Sequence, residues 1–145
     1  MIYLPNLCDC KVSIIGLGYV GLPLAVELSK FFSSKNFKTK VIGFDINSTR
    51  IKELNEGSDK TNEVDNNDLL NRENIIFTSN REELIYSDVF VVTVPTPITK
   101  ANIPDLEPLK NASKLVGSVI NNKHLNVKPV IIYESTVFPG ATEEV

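Results

Sequence analysis

Three glycines, Gly16, Gly18 and Gly21, stand between an apolar run and an amphipathic one. No other feature constrains the fold as much. Before them, Lys11 to Ile15 carries Val12, Ile14 and Ile15 and reads as a short buried strand. After them, Val20, Leu24, Leu28 and Phe31 recur at helical spacing, which predicts a helix from about Tyr19 to Phe32. Pro23 falls in its first turns, where a missing backbone N–H costs little. A strand that turns through glycine straight into a helix opens a strand–helix–strand unit.

The rest of the chain repeats that alternation. Lys40 to Phe44 reads as a second buried strand ending at Asp45. Asn47 or Ser48 caps a helix that carries Ile51 and Leu54 and stops at Gly57. Ser58 to Asp68 is polar and acidic, without periodicity, and Asp68 to Leu70 reads as a helical turn. Ile75 to Thr78 is a third strand, followed by a brief helix over Asn80 to Leu84. Asp88 to Val94 is the most apolar stretch and fits a central strand, closed by Pro95 and Pro97. A loop from Thr96 to Asp105 leads to a helix over Leu106 to Ile120, and Val127 to Tyr133 is a fifth strand. After the loop Glu134 to Gly140, residues Ala141 to Glu144 resemble the acidic first turn of another helix. Strands alternating with helices demand a mostly parallel sheet with helices on both faces. The expected fold is therefore α/β, Rossmann-like and doubly wound. Residues 1–10 read as a leader segment and 11–145 as one domain, cut before its last strands.

Composition narrows the function classes. At 145 residues, 42% hydrophobic and 23% charged, the chain suits one globular core. A net charge of −3 argues against a nucleic-acid partner. No apolar run is long enough to span a bilayer, and Met1 to Cys10 lacks the pattern of a signal peptide, so no membrane partner and a cytoplasmic location are expected. The two cysteines, Cys8 and Cys10, point to opposite faces of an extended segment, which disfavours a local disulfide and leaves no metal site. His124, the single histidine, reads as a solvated surface residue.

The glycines also carry chemistry. Gly16-Leu17-Gly18-Tyr19-Val20-Gly21 has the spacing G-x-G-x-x-G in the strand–turn–helix context that a dinucleotide site requires. Gly16 permits the tight turn, Gly18 lets backbone approach a pyrophosphate, and Gly21 lets the helix pack on the sheet. The helix N-terminus offers unpaired N–H groups to the anion. Asp45, at the end of the second strand, fits an acceptor for the adenosine ribose, and its charge favours NAD over NADP. Two alternatives stay open here. Asp45 could only cap the following turn. Arg50 could reach the same region and tolerate more negative charge, or be a solvated helix residue. Two more loops leave the carboxyl ends of strands, with hydroxyls at Thr96 and at Ser135 and Thr136. Either they border the same crevice, or they are simple turns.

Four segments taken together resemble the UDP-glucose/GDP-mannose dehydrogenase family. They are Gly16 to Ala25, Phe44 to Asn47, Val94 to Pro97, and Tyr133 to Gly140. The phrase Phe138-Pro139-Gly140-Ala141-Thr142-Glu143-Glu144 looks most like UDP-N-acetylhexosamine 6-dehydrogenases of bacterial surface-polysaccharide and capsule pathways. The resemblance implies NAD-dependent, two-step oxidation of a UDP-sugar C6 alcohol to a carboxylate, and a homo-oligomer in full-length form. It implies that Gly16, Gly18, Tyr19, Val20 and Gly21 hold the pyrophosphate, and Asp45 the ribose, with Arg50 at a basic position near it. Thr96 then lies beside the cofactor, Ser135 borders the nicotinamide end, and Thr136 helps hold an active-site water. The family's thiol nucleophile and its paired lysine and asparagine match nothing in this chain, so no dehydrogenase activity is expected from these residues alone. The alternatives are a stand-alone NAD-binding module and, less in keeping with the motifs, a methyltransferase with a similar loop. An exposed sheet edge is also expected to favour self-association.

Overall fold

The computed structural model describes residues 3–98, 104–121, 128–137 and 140. Among them are five strands, β1 (Lys11–Ile15), β2 (Lys40–Phe44), β3 (Ile75–Thr78), β4 (Val89–Val92) and β5 (Val130–Tyr133). Four α-helices accompany them: α1 (Gly21–Ser34), α2 (Ser48–Asn55), α3 (Asn66–Leu70) and α4 (Glu107–Asn121). The strands form one sheet in the order β3-β2-β1-β4-β5, and every pairing is parallel. The doubly wound, Rossmann-like expectation therefore holds.

Alternation along each strand makes two cores. Val12 and Ile14 of β1, Val41 of β2, Ile75 and Phe77 of β3 and Val91 of β4 face α1, α2 and α3. Those helices return Leu22, Ala25, Val26 and Phe32, then Ile51 and Leu54, then Leu69. On the other face, Ile15, Ile42, Phe44, Phe90 and Val92 meet Leu109, Ala112, Val116 and Val119 of α4. Each fully buried side chain of this size contributes about 1.5–3 kcal/mol, so both layers are needed. Ser13, buried on the α4 side of β1, satisfies its hydroxyl against that of Ser87.

The boundaries that differ from expectation have local causes. α1 begins at Gly21, not Tyr19, and runs past Phe32 to Ser34 before Asn36 takes a left-handed φ of 54°. The predicted helix over Asn80 to Leu84 is a 3₁₀ turn over Arg81–Tyr86, with the Asn80 side chain accepting from the Glu82 N–H. β5 starts at Val130, whose N–H donates to the Asp88 carbonyl at 3.0 Å. β4 stops at Val92, opposite Ile15 where its partner β1 ends, and the Thr93 N–H still bonds the Ile15 carbonyl at 2.9 Å. His124 and the turn Ala141 to Glu144 lie outside the described residues. At the β5 edge Ile131 and Ile132 are 41% and 39% exposed. No helix among the described residues is long and apolar enough to cross a membrane.

Candidate functional site

The strand order places the site. From β1 the chain winds outward to β2 and β3, then crosses back to β4 and β5. The direction reverses between β1 and β4, and open α/β sheets bind ligands beyond the carboxyl ends of the strands at such a point. The glycine loop leaves β1 there, and the Val94–Pro97 loop leaves β4 there.

The loop is held on three sides. The Gly16 N–H donates to the Phe44 carbonyl at 2.8 Å, so the turn begins while still tied to β2. Gly16 has φ +98°, a conformation that L side chains rarely adopt. From beneath, the Thr93 hydroxyl bridges the carbonyls of Gly16 (2.8 Å) and Ile15 (3.1 Å). Gly21 closes the turn so tightly that a Cβ there would lie 1.8 Å from the Gly16 carbonyl oxygen. Nothing lies within 4 Å of the corresponding position at Gly18, so the middle of the loop faces open space. Tyr19 and Val20 beside it are 70% and 55% exposed. The N-terminus of α1 has no side-chain cap and no acidic residue in its first turn. An uncapped helix start above an open glycine loop is a ready anion site.

Asp45 and Arg50 hold the loop from the β2 side. One Asp45 oxygen, Oδ2, accepts the Leu17 N–H at 2.9 Å, and Oδ1 accepts the Asn47 N–H at 2.9 Å. Asp45 thus caps the following turn and also binds the glycine loop. Each carboxylate oxygen has a further lone pair for a hydroxyl. Arg50 is no solvated helix residue. Its side chain is 11% exposed, Nε donates to the Leu17 carbonyl at 3.1 Å, and Nη2 pairs with Asp59 at 2.8 Å.

The far loops are cross-tied. The Ser135 hydroxyl donates to the Val94 carbonyl at 2.7 Å, and the Thr96 hydroxyl donates to the Thr136 carbonyl at 2.5 Å. These bonds lock the loops after β4 and β5 into one wall, so they are more than independent turns. Thr136 itself is exposed.

Two residues of this site escaped the sequence reading. Thr93 sits in the most apolar run, where its hydroxyl was the only mark of a different task. Asp59 lies in the polar stretch without periodicity. Its side chain is fully buried. It accepts from the Thr61 hydroxyl and the N–H groups of Thr61, Glu63 and Val64, as well as from Arg50. Burial alone would raise its pKa, but the Thr61 hydroxyl, Arg50 and the backbone N–H groups together lower it from 3.8 to about 2. A depressed folded-state value means stability that is complete above the unfolded value and lost as pH falls. About 2 kcal/mol is expected to disappear as pH drops from 4 towards 2. Denaturant melts over that range will detect it, and Asp59→Asn will flatten that part of the profile.

A parallel sheet with a glycine turn on its first strand, an acid at the end of its second and a reversal of strand order between β1 and β4 defines a dinucleotide-binding domain. The family comparison makes this specific: residues 10–145 match the NAD binding domain of the UDP-glucose/GDP-mannose dehydrogenase family, and the chain belongs to that family. It is 52% identical to protein CapL of Staphylococcus aureus, over 92% of this chain and 28% of that protein. It is 50% identical to UDP-N-acetyl-D-glucosamine 6-dehydrogenase of Pseudomonas aeruginosa, over 94% of this chain and 29% of that protein. A crystal structure of a ternary complex of GDP-mannose dehydrogenase from Pseudomonas aeruginosa superposes with a TM-score of 0.80 at 31% identity, covering 92% of this chain and 30% of that one. The chain thus spans less than a third of these relatives.

Proposed function

We propose that this chain is the cofactor-holding part of an NAD-dependent nucleotide-sugar 6-dehydrogenase, which oxidises the C6 alcohol of a UDP-N-acetylhexosamine to the carboxylate for surface-polysaccharide synthesis. The observation that carries the reading is the Leu17 clamp. Asp45 and Arg50 hold the N–H and carbonyl of the residue between Gly16 and Gly18, beneath an open loop and an uncapped helix start.

The residues fit NAD. The open face over Gly18 leaves room for a pyrophosphate, with Tyr19, Val20 and the start of α1 beside it. The spare lone pairs of Asp45 suit the two hydroxyls of a ribose and repel a 2′-phosphate. Thr96 and Ser135 stiffen the wall on the nicotinamide side, and exposed Thr136 is available to hold a water. NAD, when bound, supplies the hydride acceptor for each of the two oxidations. This chain's residues bind and orient it. The chemistry on the sugar also needs electrostatic and nucleophilic groups, which the family resemblance places outside these residues. The UDP-sugar partner, the homo-oligomer and the cytoplasmic setting are parts of the same proposal.

Calorimetric titration with NAD and with NADP tests it, with a thermal melt on the same sample to establish that the chain is folded. NAD binding with a clear preference over NADP is expected. A folded chain that binds neither cofactor would sink the reading.

A further inference from the structure

We infer that Asp59 is a positioning residue that sets the choice of NAD over NADP by holding Arg50 against the glycine loop. The inference rests on the NAD reading above.

An arginine a short way past the ribose-binding acid is the group that elsewhere receives a 2′-phosphate. Arg50 stands five residues after Asp45 and touches the same residue, Leu17, that Asp45 touches. By sequence alone it counts towards accepting NADP. Its hydrogen bonds say otherwise. Nε is spent on the Leu17 carbonyl, and Nη2 is spent on Asp59 at 2.8 Å and the Thr61 hydroxyl at 3.3 Å. The guanidinium faces a carboxylate that cannot follow it outward. Asp59 Oδ1 also accepts the Thr61 N–H (3.0 Å) and hydroxyl (2.7 Å). Oδ2 accepts the N–H groups of Glu63 (2.9 Å) and Val64 (3.1 Å). These bonds fix the acid on the backbone of its own loop, fully out of solvent.

Swinging Arg50 towards a 2′-phosphate would strand that buried carboxylate without its counter-charge, which is strongly unfavourable. Asp45, Asp59 and Arg50 together sum to −1, so this cluster is net anionic despite its arginine. Asp45 repels the extra phosphate, and Asp59 withholds the guanidinium that would compensate for it.

The test uses the whole chain with NAD and NADP titrations and a thermal melt on each variant. In Asp59→Asn the amide keeps the volume and releases the charge on Arg50. The preference for NAD is expected to shrink about tenfold, mainly through tighter NADP binding. In Asp59→Asn/Arg50→Met the wild-type preference is expected to return. In Arg50→Met alone both cofactors should weaken by a common factor, because the guanidinium serves the loop and not the phosphate. A merely structural Asp59 would weaken both cofactors alike in Asp59→Asn, and that outcome overturns the inference while leaving the NAD reading intact. If Asp59→Asn does not fold, Arg50→Met decides. An unchanged ratio supports the inference, and a selective loss of NADP overturns it. Wild-type chain that binds neither cofactor overturns the NAD reading and this inference with it.

Discussion

Gly21→Ala is expected to unseat the glycine loop, lowering the melting temperature by about 10 °C and abolishing NAD binding. The added methyl carbon would lie 1.8 Å from the Gly16 carbonyl oxygen and 2.4 Å from the Thr93 hydroxyl. A methyl group has no rotamer with which to escape, and the Gly16 oxygen is main chain. Either α1 lifts off the sheet or the loop opens. Lifting α1 uncovers Leu22 and Ala25, both wholly buried. Opening the loop breaks the Thr93 bond to Gly16. Overpacking of this kind costs about 3 kcal/mol, which for a domain near this size is about 10 °C. Gly18→Ala is the control, since its Cβ meets nothing within 4 Å. That variant should melt like wild type and yet bind NAD weakly, because the methyl takes the space left for the pyrophosphate. Calorimetric melts and NAD titrations on the two variants check both halves. A Gly21→Ala chain with wild-type stability and affinity would refute the role assigned to the loop.

The two glycines also show how much of the site could be read from the chain. Strands β1, β2 and β3 have the predicted bounds, because each is a short apolar run flanked by breakers. The glycine loop was legible for a related reason: its spacing is local and its neighbours on both sides declare their own structure. α1 was misplaced at its start because Tyr19 and Val20 fit the helical pattern as well as the residues after them. Only the fold makes them the exposed lip of the loop.

Thr93 and Asp59 were hidden for different reasons. Thr93 acts on carbonyls 77 and 78 residues away, and no local pattern encodes a contact across two strands. Asp59 is partly local, since its bonds to Thr61, Glu63 and Val64 are a turn of the type aspartate favours. What the sequence could not declare is that the turn folds back under α2 and presents its carboxylate to Arg50. The open alternatives for Arg50, ligand-facing or solvated, did not include the pairing seen here, in which the guanidinium meets Asp59 and the Leu17 carbonyl.

Asp45→Ala should have the other large effect, and it separates the acid's two tasks. The carboxylate takes the Leu17 N–H with one oxygen and the Asn47 N–H with the other. Alanine leaves the part-buried Leu17 N–H without its acceptor and hands the exposed Asn47 N–H to water, at a cost of about 2 kcal/mol. Affinity for NAD should fall about a hundredfold, since the ribose acceptors vanish and Leu17 loses one of its two anchors. Asp45→Asn divides the effect. Its single amide oxygen can serve one of the two N–H groups, so the stability loss should be roughly half. With the charge gone, the bias against NADP should shrink although NAD itself still weakens. Urea denaturation gives the first quantity and paired titrations with NAD and NADP the second. Should Asp45→Asn keep the full wild-type bias, the discrimination would have to come from somewhere other than the carboxylate charge. Should Asp45→Ala bind NAD as wild type does, Asp45 would be a turn cap alone. The expected asymmetry follows if the carboxylate that shapes the loop is also the proposed ribose acceptor, so the same substitution is read in stability and in specificity.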